Sequence, residues 1–132
     1  MENARIGGKY GDPCIGEDYL EAVLVLQKEK GMVRSIDLAQ YMDHSKPSIS
    51  YAVKQLRNGG FLDVDKDGYL HLTDRGQAVA SKIYERHLFF TEQLLAAGVD
   101  RAVAEQDACQ MEHAISDDAF QKLKEKVRLS ES

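Results

Sequence analysis

The segment SKPSISYAVKQLRNGG, residues 45–60, carries the signals of a short helix with clear limits. Ser45 can cap its first turn, and Pro47 falls where a missing N–H costs nothing. The paired glycines at the end of the segment are typical of a helix stop. Three apolar residues repeat at helical spacing: Ile49, Val53 and Leu56. A helix with one apolar face is therefore predicted here.

Two helices are predicted before this segment and two short strands after it. Residues 17–30 place apolar side chains every three or four positions before Gly31, and Ser35 can cap a short second helix. Residues 61–64 and 69–72 alternate in polarity around a turn that contains glycine. Three helices followed by a hairpin are typical of a winged helix-turn-helix, whose third helix enters the major groove of DNA.

The polar face of the third helix carries the candidate DNA contacts. It has three cations and no acid, although the whole chain has a net charge of -5. Cations and short hydroxyls suit phosphate and base-edge contacts. The candidates are Ser45, Lys46, Pro47, Ser48, Ser50, Tyr51, Lys54 and Arg57. Ordinary solvated helix residues would have the same composition, and the adjacent hairpin favours DNA binding over that alternative.

Length and composition limit the class of protein. With 132 residues, 43% hydrophobic and 30% charged, the chain has the size and composition of one globular domain with a helical extension. It has neither an apolar run long enough for a membrane span nor a secretory signal, so a cytoplasmic protein with no membrane partner is expected. Residues 1–15, with three glycines and a proline, are predicted to form an arm.

The second half predicts three further helices. The fourth is capped by Thr73 or Asp74 and ends at Gly98. The fifth is capped by Asp100 and ends at about Ile115, and the sixth begins at Ser116. The predicted fold is mainly α: a winged helix-turn-helix DNA-binding domain at residues 16–74, followed by a helical metal-binding and dimerisation domain at residues 75–132.

The fifth helix carries a possible metal site. Cys109, Glu112 and His113 are three and four residues apart, so a thiolate, a carboxylate and an imidazole can converge on one ion. The first and fourth helices offer Asp18, Glu21 and His87. Each residue has a simpler explanation, since a lone cysteine is usually core filler, a histidine on an apolar face is usually a core residue, and acids suit a helix start. Together, six such residues on three helices favour a transition-metal site. The other cysteine, Cys14, could be buried filler, a reactive thiol or a metal ligand.

These residues resemble the iron- and manganese-dependent transcriptional repressors, a family that includes the diphtheria toxin repressor and the manganese transport regulator. The resemblance runs from about Gly16 to Val127. It rests on residues 17–21, 45–50, 72–76 and 86–87, and on residues 109–117.

The resemblance implies a homodimer formed by the last three helices and a metal site that joins this region to the DNA-binding half. The implied ligands are Asp18, Glu21, His87, Cys109, Glu112 and His113. Asp18 and Glu21 match the manganese branch of the family, whereas Cys109 matches the iron branch. Thr91 and Glu105 stand where the iron branch has further ligands. A dimer is also expected because the second half has more apolar residues than it can bury alone, namely Leu94, Leu95, Phe120, Leu123 and Val127.

The ligand set indicates the metal and the mechanism. A thiolate in place of an oxygen donor shifts preference from Mn(II) toward Fe(II), so Fe(II) is expected first and Mn(II) second, with Co(II), Ni(II) or Zn(II) as substitutes in vitro. The acids and the thiolate would repel one another until divalent ions bind, fix the first helix and so orient the third.

The expected function is a non-enzymatic repressor that senses Fe(II) or Mn(II), binds a pseudo-palindromic operator in double-stranded DNA and regulates metal-uptake genes. The alternative is a metal-binding protein or small metalloenzyme that uses Cys109, Glu112 and His113 without DNA. That alternative leaves the acid-free face of the third helix unexplained.

Overall fold

The chain is mainly helical, as predicted, in a computed structural model that describes the backbone of residues 13–131 and the side chains of residues 16–131. The elements are α1 (Pro13–Lys30), α2 (Ser35–Met42), α3 (Lys46–Asn58), β1 (Leu62–Val64), β2 (Leu70–Leu72), α4 (Asp74–Ala96), α5 (Arg101–Met111) and α6 (Asp117–Glu131). Within these described residues, no helix is both long and apolar enough to cross a membrane. Most of the predicted arm lies outside the described residues, but α1 begins at Pro13, inside it.

The first three helices pack through the apolar faces that the sequence predicts. Tyr19, Leu20 and Val23 of α1 are buried, and so is Leu38 of α2. The predicted face of α3 is also buried, with Ala52 completing it beside Ile49, Val53 and Leu56. Helices α1, α2 and α3 all contact one another. The helix-turn-helix therefore has its own small core, and the polar face of α3 stays outside it.

The N-terminal ends of α2 and α3 are stabilised differently. The predicted cap of α3 is confirmed, because Ser45 Oγ accepts a hydrogen bond from the Ser48 N–H at 3.3 Å. Ser35 does not cap α2 but is its first helical residue. Instead, Asp37 accepts hydrogen bonds from Lys30 Nζ at 2.6 Å and from the Arg34 N–H at 2.8 Å. These hydrogen bonds, the one from Lys30 first, lower the pKa of Asp37 below its ordinary value.

The wing is an antiparallel hairpin in which Leu62 faces Leu72. Asp65 holds its turn: its Oδ1 accepts the N–H groups of Asp67 and Tyr69, both at 2.9 Å. The hydrogen bond to His71 is the largest cause that lowers the pKa of Asp65. The wing is tied to the helices through the segment after α1, where the Arg34 guanidinium lies 4.2 Å from the centre of the Tyr69 ring.

The chain divides into two compact units, residues 1–82 and 83–132, so that α4 contributes to both. The predicted domain boundary at residue 74 stays a prediction. In the second unit, Phe90, Ala108 and Phe120 form a core cluster with Phe89 and Ile115 against it. Phe120 is 1% exposed. Phe120 was counted among the apolar residues that the second half cannot bury alone, but its ring fills the unit's own core.

The junction between the wing and α4 leaves no space for a side chain at Gly76. A Cβ there would lie 2.0 Å from the carbonyl oxygen of Phe61. Gly76→Ala should therefore lower the free energy of unfolding by about 1–3 kcal/mol, because backbone must move to relieve the overlap. Urea denaturation followed by circular dichroism measures this loss.

The control is Gly16→Ala in α1, where a Cβ would make an ordinary contact of 3.8 Å with Leu56 Cδ2. This change should leave stability unchanged or raise it by up to about 1 kcal/mol, because alanine favours the helix. Equal effects of the two substitutions would contradict the close approach at Gly76.

Candidate metal centre and nucleic-acid interface

Three predicted ligands come together in the second unit. Donor atoms of His87, Cys109 and Glu112 all lie within 4.8 Å of one another. His87 Nδ1 is 2.9 Å from Glu112 Oε1 and 3.8 Å from Cys109 Sγ. The side chain of Glu112 is fully buried, at 0% exposure. A buried carboxylate is costly without partners, so its place beside an imidazole and a thiol is typical of a built polar site.

His113 joins this cluster by a route that the sequence did not predict. Helix α5 ends at Met111 and not at Ile115, so Glu112 is its C-cap and His113 lies in the following turn. The prediction that His113 shares a helix face with Cys109 is therefore wrong. Its side chain is nevertheless buried, at 2% exposure, and its Nε2 lies 3.5 Å from Glu112 Oε2.

Arg86 holds the turn that follows α5. This buried guanidinium donates through Nη1 to the carbonyl oxygens of Glu112 at 3.1 Å and Ile115 at 2.6 Å, and through Nη2 to the carboxylate of Asp117. These bonds satisfy two carbonyls that lie beyond Met111, the last helical residue of α5. Arg86 thus holds the backbone of Glu112 while its neighbour His87 contacts the Glu112 side chain. In the sequence, Arg86 is one of the residues that carry the family resemblance, and its place as a cation in the apolar stripe of α4 is the local signal for this role.

Asp18 and Glu21 lie on α1, in the first unit, and both are half-buried. Since α1 begins at Pro13, neither acid lies in its first turn. The interaction of an acid with the helix dipole falls off within the first turn. The simpler explanation of this acidic pair, favourable placement at a helix start, therefore does not apply.

The donor set in the second unit fits a borderline transition metal. Imidazole and thiolate donors suit Fe(II), Co(II) and Zn(II), whereas Mn(II) prefers oxygen. The residues at the two further positions of the iron branch behave differently from ligands. Glu105 is exposed and lies 3.4 Å from Arg101, one helical turn away, and Thr91 is buried with a hydroxyl as its polar group.

The predicted DNA face of α3 is exposed. Tyr51 is 46% exposed, and Lys46, Ser50, Lys54 and Arg57 are exposed with it. Pro47 is also exposed, in the first turn of the helix. The hydroxyls of Ser45 and Ser48 lie 3.0 Å apart, in a hydrogen bond that belongs to the helix cap. The helix therefore presents its cations along one side and its cap at the N-terminal end.

An acid lies beside this face, although the helix itself has none. Asp63 of β1 lines a shallow hollow together with Lys54, Arg57 and Asn58. The residue pattern of α3 cannot indicate this acid, because Asp63 belongs to the wing and approaches α3 only in the folded unit. Its carboxylate reduces the positive potential near the C-terminal end of α3.

Arg86→Lys is expected to destabilise the second unit. A lysine keeps the positive charge, but it cannot donate in the forked geometry that Arg86 uses. Each buried carbonyl left without a donor should cost about 1–3 kcal/mol in the free energy of unfolding, measured by chemical denaturation.

Arg128→Lys is the matched control. Arg128 pairs with Glu125 on an exposed part of α6, so this change should cost less than about 0.5 kcal/mol. A similar cost for the two substitutions would show that Arg86 does not hold the turn.

Comparison with known proteins agrees with this arrangement. Residues 16–75 match the model of the iron dependent repressor N-terminal DNA binding domain, and residues 73–130 match the iron dependent repressor metal binding and dimerisation domain. The transcriptional regulator MntR of Escherichia coli O6:H1 is 32% identical over 104 residues, which cover 79% of this chain and 67% of that protein. The iron-dependent repressor IdeR of Mycobacterium bovis is 30% identical over 109 residues, covering 81% of this chain and 47% of IdeR.

Solved structures of metal-dependent regulators also resemble this chain. The structure of the manganese regulator SloR superposes with a TM-score of 0.75 at 27% identity, covering 86% of this chain and 53% of SloR. A manganese-dependent transcriptional repressor in complex with manganese also has a TM-score of 0.75, at 26% identity, covering 84% of this chain and 51% of the repressor. The chain thus spans about half the length of these solved regulators. Both halves of the chain match, in order, and the chain belongs to the iron dependent repressor family.

Proposed function

We propose that this chain is a DNA-binding repressor that depends on a divalent metal, with Fe(II) preferred and Mn(II) second. The observation that carries the proposal is the convergence of nitrogen, sulfur and oxygen donors of His87, Cys109 and Glu112 within 4.8 Å. The sulfur donor supports iron over manganese. The named relatives include regulators linked to each metal, which supports a divalent ion in general and a regulatory, non-catalytic role.

His87, Cys109, Glu112 and His113 would hold the metal from the second unit, and we propose that Asp18 and Glu21 complete the ligand set from α1. The family resemblance supports this pair, and so does their position beyond the first turn of α1. A divalent ion would supply positive charge to a set of groups that otherwise repel one another. Asp18, Glu21 and Glu112 with a Cys109 thiolate carry four negative charges, so their convergence is unfavourable when they are unneutralised. Neutralisation would thus favour one position of α1.

We further propose that α3 binds the major groove of DNA and that the protein acts as a homodimer. Lys46, Lys54 and Arg57 would neutralise phosphates, while Ser50 and Tyr51 face the bases. Exposed apolar side chains of the second unit support a second copy as partner: Leu88, Val103, Met111, Leu123 and Leu129. Two copies related by a two-fold axis require two half-sites, and hence a pseudo-palindromic operator.

DNA retardation without oxygen, with each metal and with chelator, tests the function. Fe(II) should raise the DNA affinity, and chelator should reverse that gain. Lys54→Ala with Arg57→Ala should then weaken binding broadly and lower the slope of log affinity against log salt by about 1 for each lost phosphate contact.

The control removes two exposed lysines of α6, Lys122→Ala with Lys126→Ala, and so changes the net charge equally. It should alter the slope little, because those lysines lie outside the proposed DNA interface on α3. An unchanged affinity and slope in the α3 variant would rule out docking through this face.

Cys109 should act as a metal-bound thiolate. Co(II) should then give a sulfur-to-metal charge-transfer band in the near ultraviolet that is lost in Cys109→Ala and kept in Cys14→Ala. In Cys109→Glu, the ratio of DNA-binding activation by Fe(II) to that by Mn(II) should fall, because the donors become oxygen and nitrogen only.

The ratio is the quantity to compare, since any ligand change can weaken both metals. A band that survives in Cys109→Ala would assign Cys109 to the core. An iron-to-manganese ratio in Cys109→Glu equal to that of the parent protein would remove the basis for preferring iron.

A further inference from the structure

Tyr19 connects the part of α1 that carries Asp18 and Glu21 to the turn before α3. It stands between Asp18 and Glu21 in sequence, but it is 2% exposed and lies in the core of the helix-turn-helix. Its Oη is 2.9 Å from His44 Nδ1. The two rings also meet edge to face, with their centres 5.6 Å apart at an interplanar angle of 78°. One residue thus makes both a polar and an aromatic contact over 25 positions of sequence.

His44 occupies a position from which it can orient α3. Its N–H donates to the Ala39 carbonyl at 3.0 Å, which fixes its backbone to the end of α2. The next residue is Ser45, the N-cap of α3. The backbone of His44 is therefore anchored to one helix, and its imidazole is anchored to another.

We propose that Tyr19 and His44 are a positioning pair that transmits the state of the α1 acids to the N-terminal end of α3. The proposal rests on the proposed function and deepens it, because it names the residues that couple metal binding to DNA binding. The residues positioned are Ser45, Lys46 and Ser48, all at the end of α3 where candidate DNA contacts begin.

Directionality is the physical reason for this role. The apolar contacts of Leu20 and Val23 hold α1 in the core, but burial of apolar surface has no preferred direction and tolerates small displacements. A hydrogen bond weakens steeply when its length or angle changes. Asp18 and Tyr19 are consecutive on one rigid helix, so a shift of α1 that serves the acids moves Oη by a similar amount. His44 and the Ser45 cap must then move with Tyr19, or the hydrogen bond between Tyr19 and His44 is lost.

Tyr19→Phe removes the hydroxyl and keeps the ring. The measured quantity is the coupling factor, the DNA affinity with Co(II) divided by the affinity with chelator. It should fall about two- to tenfold, the range expected for one hydrogen bond. By reciprocity, the enhancement of Co(II) affinity by DNA should fall by the same factor, while Co(II) affinity without DNA changes less than about twofold. A purely structural loss would weaken DNA binding equally with and without Co(II).

His44→Phe keeps the edge-to-face contact and removes the imidazole nitrogen that hydrogen-bonds Tyr19, so it should lower the coupling factor as much as Tyr19→Phe does. The double variant should lose no more than either single variant, because both remove the same bond. Tyr41→Phe is the matched control; it removes the hydroxyl of an exposed tyrosine on α2 and should leave the factor unchanged.

Amide hydrogen exchange gives a readout that needs no metal. The N–H groups of Ser48 and Ile49 bond to Ser45 in the first turn of α3. In chelator, Tyr19→Phe should speed their exchange and leave the C-terminal turn of α3 unaffected.

Three results would overturn the positioning pair: an unchanged coupling factor, additive losses in the double variant, or unchanged exchange in the first turn. If the unaltered protein shows metal-dependent DNA binding, these results leave the proposed function standing. If the unaltered protein binds DNA equally with and without metal, the proposed function and the positioning pair are both wrong. This control measurement precedes the variants, so the two kinds of failure are distinguishable.

Discussion

The buried guanidinium of Arg86 determines the arrangement of the second unit. Two of its three acceptors are backbone carbonyls in the turn between α5 and α6, and the third is the carboxylate of Asp117 at the start of α6. Both carbonyls lie beyond Met111, the last helical residue of α5, and Arg86 donates to them there. Because the turn forms here, Glu112 is the C-cap of α5 and His113 lies in the turn beyond the helix. The cluster of donor groups is therefore a consequence of how one helix is ended.

This arrangement is favourable only if its buried charges are compensated. Arg86 and Glu112 are both buried, and isolated charges in that environment would be costly. Arg86 is compensated by Asp117 and two carbonyls, and Glu112 by the imidazole of His87 with His113 beyond it. The two buried groups therefore have separate roles: Arg86 binds backbone carbonyls, and the Glu112 carboxylate lies beside His87 and Cys109. A well-positioned anion beside imidazole and thiol is the chemical basis for proposing a metal there.

The first unit meets the opposite electrostatic requirement. A chain with net charge -5 must approach a polyanion, so cations have to be concentrated on one face while acids are used elsewhere. Asp37 and Asp65 are used in this way, since each accepts backbone and side-chain hydrogen bonds that stabilise a helix start or a turn. Asp63 is the exception, because it borders the cations of α3. It therefore moderates the potential at that end of the helix.

Local signals in the sequence were sufficient for most of the elements. The cap at Ser45, the spacing of Ile49, Val53 and Leu56, and the glycine turn of the wing each act within a few residues, and all three appear in the structure. Spacing and chemistry also selected His87, Cys109 and Glu112, whose donor atoms lie within 4.8 Å of one another in the structure.

Tertiary structure decided what depends on distant partners. The turn after α5 is held by Arg86, which lies 26 positions before Glu112, and the burial of Phe120 depends on α4 and α5. The Tyr19–His44 bond and the place of Asp63 beside α3 likewise arise only when separate elements pack. Periodicity and capping describe the backbone over one or two turns. They contain no information about which polar group, far along the chain, will donate to the carbonyls of the turn after a helix.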